Sequence, residues 1–132
     1  MSNHTYNQKM NLILFNDKGE VVFSSPGRGI RPIFECIKFI KDFSEKYILY
    51  DKIVGLASAM LIVWSKKIIS VESKVMSKKA KELLEKNNIL VKSGVYIDKV
   101  MNQDGTDICP MEKLAIKKND PFTFYNELSH IF

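Results

Sequence analysis

Apolar positions along the chain fall into short runs and helical stripes. Leu12-Ile13-Leu14-Phe15 is an unbroken apolar run of the length of a buried strand. Asn16-Asp17-Lys18-Gly19 reads as a turn, with Gly19 free to adopt a positive φ, and Val21-Val22-Phe23 returns as a second strand. The pattern therefore predicts an opening β-hairpin. After a Ser24–Gly29 loop, Pro32 suits a first helical turn. Ile33, Cys36, Ile37 and Ile40 then recur at helical spacing, with Glu35, Lys38 and Asp42 turned outward. Cys36 lies on that apolar stripe and reads as a small core residue.

The same reading carries to the end of the chain. Tyr47 to Tyr50 is a short strand, and the uncharged run from Ile53 to Ser65 predicts a helix buried on most faces. Ile68 to Val71 is a strand, and Ser77 can N-cap a helix with Ala80, Leu83 and Leu84 inward. Asn87-Asn88 is a left-handed stop, Ile89 to Val91 a further strand, and Gly94 to Ile97 an extension of the sheet. Asn102 to Thr106 is a polar loop, Pro110 opens a short helix over Met111–Lys117, and Asp120-Pro121 starts a last one through Phe122, Tyr125 and Leu128. The order is β-hairpin, α, β, α, β, α, β, α, α. Alternation after a hairpin predicts an α/β fold, a three-layer α/β/α sandwich on a mixed sheet.

A chain of 132 residues is one domain, with 1–10 expected as a frayed tail and 11–132 as the domain. At 45% hydrophobic and 27% charged it is too apolar to be disordered. The net charge of +5 resides wholly in Lys66–Lys92, where eight lysines face three glutamates. This reads as a solvated helix face. Nucleic acid is not expected as a partner, because the segment has neither arginine nor interleaved aromatics. Two cysteines are too few for a disulfide scaffold, the first ten residues hold no signal-like apolar run, and Ile53–Ser65 is too short to span a bilayer. A cytoplasmic protein with no membrane partner and free thiols is expected.

Familiar catalytic constellations are missing. The sequence has no HxE, CxxC, HExxH or GxSxG, and His4 and His130 sit near its ends, so no metal site and no cofactor is expected. Three connections are richer than turns need. Gly27-Arg28-Gly29 leads into a helix N-terminus, where free amides and an arginine can hold a phosphate or carboxylate; a plain glycine turn is the alternative. Asp51-Lys52 stands before the buried helix, where Asp51 either caps that helix or points into a cleft. Behind it, Gly55, Ser58 and Ala59 share one side, which admits either a ligand or a close-packed sheet. The third runs from Asn102 to Glu112. With Pro110 at the first helical position, Cys109 takes the N-cap, where the helix end favours a thiolate and the neighbouring Asp107 and Glu112 oppose it; a small packed residue beside a capped loop is the alternative. Each connection feeds a helix N-terminus, and in α/β sheets these gather at the carboxyl ends of parallel strands.

Taken together, Asp51-Lys52-Ile53-Val54-Gly55-Leu56-Ala57-Ser58-Ala59, Asp104-Gly105-Thr106-Asp107-Ile108-Cys109-Pro110-Met111-Glu112 and Gly27-Arg28-Gly29-Ile30-Arg31-Pro32 resemble an uncharacterised prokaryotic family catalogued as a domain of unknown function. The resemblance runs from about Asn11 to Leu128 and implies a cytidine-deaminase-like fold. Zinc enzymes of the wider deaminase superfamily carry HxE or CxE at the second core helix and PCxxC at the third. The corresponding stretches here, Asp51-Lys52-Ile53 and Val75-Met76-Ser77-Lys78, lack that ligand set, and Cys109-Pro110 has the reverse order one helix later. The resemblance thus implies the scaffold without zinc-water deamination.

The expectation is a zinc-free, deaminase-like protein that binds a small anionic or nucleotide-like molecule in a cleft of helix N-terminal loops. Gly27, Arg28 and Gly29 would hold the anion. Lys52, Gly55, Asp104, Gly105, Thr106 and Glu112 would line the site, and Cys109 and Asp51 would be the candidate catalytic groups. The alternative is a regulatory or interaction module without chemistry, forming a homo-oligomer or meeting an acidic partner.

Overall fold

A computed structural model describes residues 9–132. Apart from Lys9 and Met10, the expected tail lies outside the described residues, as does His4. Strands β1 (Leu12–Phe15) and β2 (Val21–Ser25) form the antiparallel opening hairpin. Helix α1 (Arg31–Ile40) leads to β3 (Tyr47–Asp51), which lies antiparallel to β1. Next come a two-residue strand β4 (Ile53–Val54), α2 (Leu56–Ser65), β5 (Ile68–Ser77), α3 (Lys78–Lys86), β6 (Leu90–Ile97), α4 (Pro110–Lys118) and α5 (Pro121–Ile131). β5 runs parallel to β3, β4 and β6. Because β6 covers one edge of β5, β3 and β4 share the other, and the sheet reads β2-β1-β3/β4-β5-β6. An open mixed six-stranded sheet with five helices is the expected α/β class and is consistent with a three-layer sandwich.

Two boundaries differ from the sequence reading. Ile53 and Val54 are not the first turn of the buried helix. They pair with Val75 and Met76, and the Lys52 carbonyl accepts hydrogen bonds from the amides of Lys74 (3.1 Å) and Val75 (3.0 Å). The helix starts at Leu56, with Gly55 as its N-cap. β5 does not stop at Val71 either; Glu72 to Ser77 continues the ladder, with Ser73 buried and its hydroxyl donating to Ser93 on β6 at 2.9 Å. Polar residues there face alternate sides of a strand rather than ending one.

The core lies where strand alternation meets α2. Leu14, Leu49 and Val71 are side by side in register and all buried. In α2, Ala57 through Ile62 are buried, as the all-apolar run predicts, and each such Leu or Ile side chain stabilises the fold by about 1.5–3 kcal/mol. Cys36 is fully buried in the same cluster. α2 packs against α1, α3, α4 and α5, with the Trp64 ring stacked on Tyr125 of α5 at 3.6 Å. Ser77 caps α3 by accepting from the Ala80 amide (3.1 Å), and Asn88 takes the left-handed conformation after it. Among the described residues no helix is long and apolar enough to cross a membrane. This arrangement brings the N-termini of α1, α2 and α4 to one rim of the sheet.

Candidate functional site

At that rim lies a cleft of about 580 Å³. Asn11 and four segments build it: Gly27 to Pro32 before and into α1, Asp51 to Ser58 around β4, Val100 to Gln103, and Cys109 to Glu112 at the start of α4. Of the sequence candidates, Gly27, Arg28, Gly29, Asp51, Lys52, Gly55, Cys109 and Glu112 all line it. Asp104, Gly105 and Thr106 do not. They form an exposed turn closed on itself: the Gly105 amide donates to the Asn102 carbonyl (3.0 Å) and the Thr106 amide to Asn102 Oδ1 (3.1 Å). The turn's base, Asn102 and Gln103, reaches the cleft in their place.

The glycine loop is held from below. Asn11 Nδ2 donates to the carbonyls of Pro26 (2.8 Å) and Gly27 (3.0 Å), and the Gly27 amide donates to Ser25 Oγ (3.0 Å). Gly29 has φ +79, which an L side chain would strain. Arg28 and Lys52 are exposed at the mouth, and neither forms an ion pair with another described residue.

Asp51 does not cap the buried helix. It ends β3, where burial holds its carboxyl well above the usual carboxylate range, against the opposing effect of hydrogen bonds from the amides of Ile53 and Lys52. The cap over α2 is Glu112, from α4. Its carboxylate accepts from the amides of Leu56 (2.9 Å) and Ala57 (2.7 Å) and is buried. A Cβ on residue 55 would sit 2.6 Å from Glu112 Oε1, so only glycine lets the carboxylate reach the helix end. A glycine N-cap has no side chain to give, and a residue of α4 supplies the missing acceptor.

Cys109 is the N-cap of α4, half-buried, with no capping bond from its side chain. The two carboxylates expected beside it have other partners. Glu112 is turned to α2, while exposed Asp107 pairs with Lys113 and accepts from the Ile108 amide, contacts that hold its pKa below the usual range. Sequence reasoning missed Asn11, and it included Asn102 and Gln103 only as the start of the third connection. Ser58 was visible only as one of three small residues; it is 8% exposed and lines the cleft. Among the described residues no group of three His, Cys, Asp or Glu side chains could hold a metal ion. His130 is exposed near the end of α5.

The cleft thus has exposed cations at its mouth that form no ion pair with another described residue, a carboxyl along its wall whose pKa burial raises, and a thiol at a helix N-terminus. The model of a domain of unknown function, DUF1893 (TM1506), matches residues 2–132. Among solved structures, a DUF1893 family protein (TM1506) from Thermotoga maritima is 26% identical, covering 98% of this chain and 85% of that one, with a TM-score of 0.82. No curated protein matches.

Proposed function

The chain belongs to the DUF1893 domain family, and we propose that it binds a small anionic or nucleotide-like molecule in the cleft between α1, α2 and α4. The observation that carries this reading is the pair of exposed cations, Arg28 and Lys52, neither in an ion pair with another described residue, on a cleft built from three helix N-termini. A hairpin followed by parallel strands joined through helices supports a deaminase-like scaffold. The missing HxE and PCxxC patterns support a site that works without zinc. Cys109 is the candidate nucleophile and Asp51 the candidate acid of such a site. The domain is taken as 11–132 and the setting as cytoplasmic.

Calorimetric titration of the purified protein with inorganic phosphate and with nucleoside monophosphates tests the reading. Binding in the wild type that weakens at least tenfold in Arg28→Gln is expected. No binding of any of these anions would end it. One observation favours the second reading, an interaction module. Phe23, Phe39 and Phe43 form a row with ring centroids 5.5 Å apart, and Phe39 and Phe43 are nearly half exposed. Sedimentation of wild type against Phe39→Ser distinguishes it: a dimer lost in the variant supports an interface there, and a monomer in both removes it.

A further inference from the structure

We infer that the ligand sits anion-outward, with an uncharged hydrogen-bonding head at the inner end of the cleft, met by the Ser58 hydroxyl. This rests on the ligand reading above and adds the polarity of the molecule and its innermost contact.

The positive end of α2 is the obvious seat for an anion on this wall. It is already taken. Glu112 bonds both the Leu56 and Ala57 amides and is only 7% exposed. A second negative charge brought to the same place would meet a buried like charge, where water screens little. The free positive charges of the cleft are Arg28 and Lys52, both at the exposed mouth. Charge therefore divides the site into an outer end that attracts an anion and an inner end that repels one.

The inner end is still polar. Ser58 is 8% exposed, and its hydroxyl has no hydrogen-bond partner among the described residues. Buried hydroxyls are nearly always paired, so an open one on a cleft wall marks a group with a partner still to come. Asp51, whose pKa burial raises above the usual carboxylate range, lies on the same cleft. Ile53, Met101 and Met111 add apolar lining to the cleft. The chemical class that fits is a monoester of phosphate, or a comparable single acid group, on a neutral organic body with hydrogen-bonding edges. Inorganic phosphate fits the mouth only.

The test is calorimetry on the full chain with inorganic phosphate and three matched pairs: uridine and its 5′-monophosphate, adenosine and its 5′-monophosphate, ribose and its 5-phosphate. At least one phosphomonoester is expected to bind about tenfold tighter than inorganic phosphate. Ser58→Ala should cost that ester about three- to tenfold, the worth of one hydrogen bond to a neutral group, and leave phosphate affinity unchanged. Arg28→Gln should weaken both. Equal loss of phosphate and ester in Ser58→Ala would overturn the inference, because the anion would then sit inside. So would a panel in which no ester exceeds inorganic phosphate. If no anion binds the wild type, the ligand reading itself falls.

Discussion

Replacing Gly55 with alanine puts a methyl group where Glu112 now lies. The added Cβ would stand 2.6 Å from Oε1 and 2.7 Å from both Cδ and Oε2, well inside contact distance. The backbone itself accepts alanine, since residue 55 has φ −102 and extended geometry. The cost therefore falls on the carboxylate, which must leave the amides of Leu56 and Ala57. Hydrogen bonds to a charged group contribute about 1.5–3 kcal/mol each, so losing both costs about 3–6 kcal/mol. A stiffer unfolded chain returns about 0.4–1 kcal/mol, leaving a net loss of about 2–6 kcal/mol. That is a large part of the ordinary stability of a domain. Urea unfolding of wild type, Gly55→Ala, Glu112→Ala and the double variant reads this as a shift in midpoint at constant slope. In the Glu112→Ala background the alanine should cost nothing or stabilise slightly, giving a coupling energy of about 3–6 kcal/mol. If Gly55→Ala costs the same in both backgrounds, the interlock between α2 and α4 is not what selects glycine.

Two more expectations concern protons. Asp51 has a folded pKa raised by burial, so the folded state holds its proton more tightly than the unfolded chain. Its contribution is complete below the unfolded value of about 3.9 and is lost as pH rises from there through the raised folded value. The stability of wild type relative to Asp51→Asn should therefore fall with rising pH over that window in urea titrations; a flat difference would show that Asp51 is solvated. The thiols should also separate. Burial, with a smaller effect of Asp51, pushes Cys36 up to about 12, while Cys109 is half-buried on the cleft. A disulfide reagent at neutral pH should titrate one thiol per native chain and none in Cys109→Ser, and a signal retained in that variant would place the accessible sulfur elsewhere.

Much of the architecture was legible because period and punctuation agree. The hairpin followed from an apolar run, a glycine turn and a second run, and the starts of α3, α4 and α5 from Ser77, Pro110 and Asp120-Pro121. What failed was local pattern where long-range pairing decides. Nothing in Ile53-Val54 distinguishes a strand from a helix start until Val75 and Met76 lie beside them. Glu72, Ser73 and Lys74 look like the end of a strand until β6 supplies a ladder. The cleft was legible at the level of connections, because parallel strands send their helix N-termini to one rim. Individual roles were not. Glu112 is 56 residues from the amide it receives at Leu56, a distance no spacing rule spans. Asp104, Gly105 and Thr106, an ordinary turn by composition that was placed in the site with its neighbours, only fold back over Asn102.

The reach of Glu112 from α4 to α2 also sets what insertions and deletions this chain can absorb. The turn at Asp104–Thr106 faces solvent and closes on itself, so added residues there extend a hairpin tip and leave the sheet alone. One residue gained or lost between Cys109 and Glu112 is another matter. It would swing the carboxylate by about 100° around its helix axis. The acceptor would then point away from α2 while Gly55 kept a gap with nothing in it. The loop is thus free in length, whereas the first turn of α4 is fixed in phase.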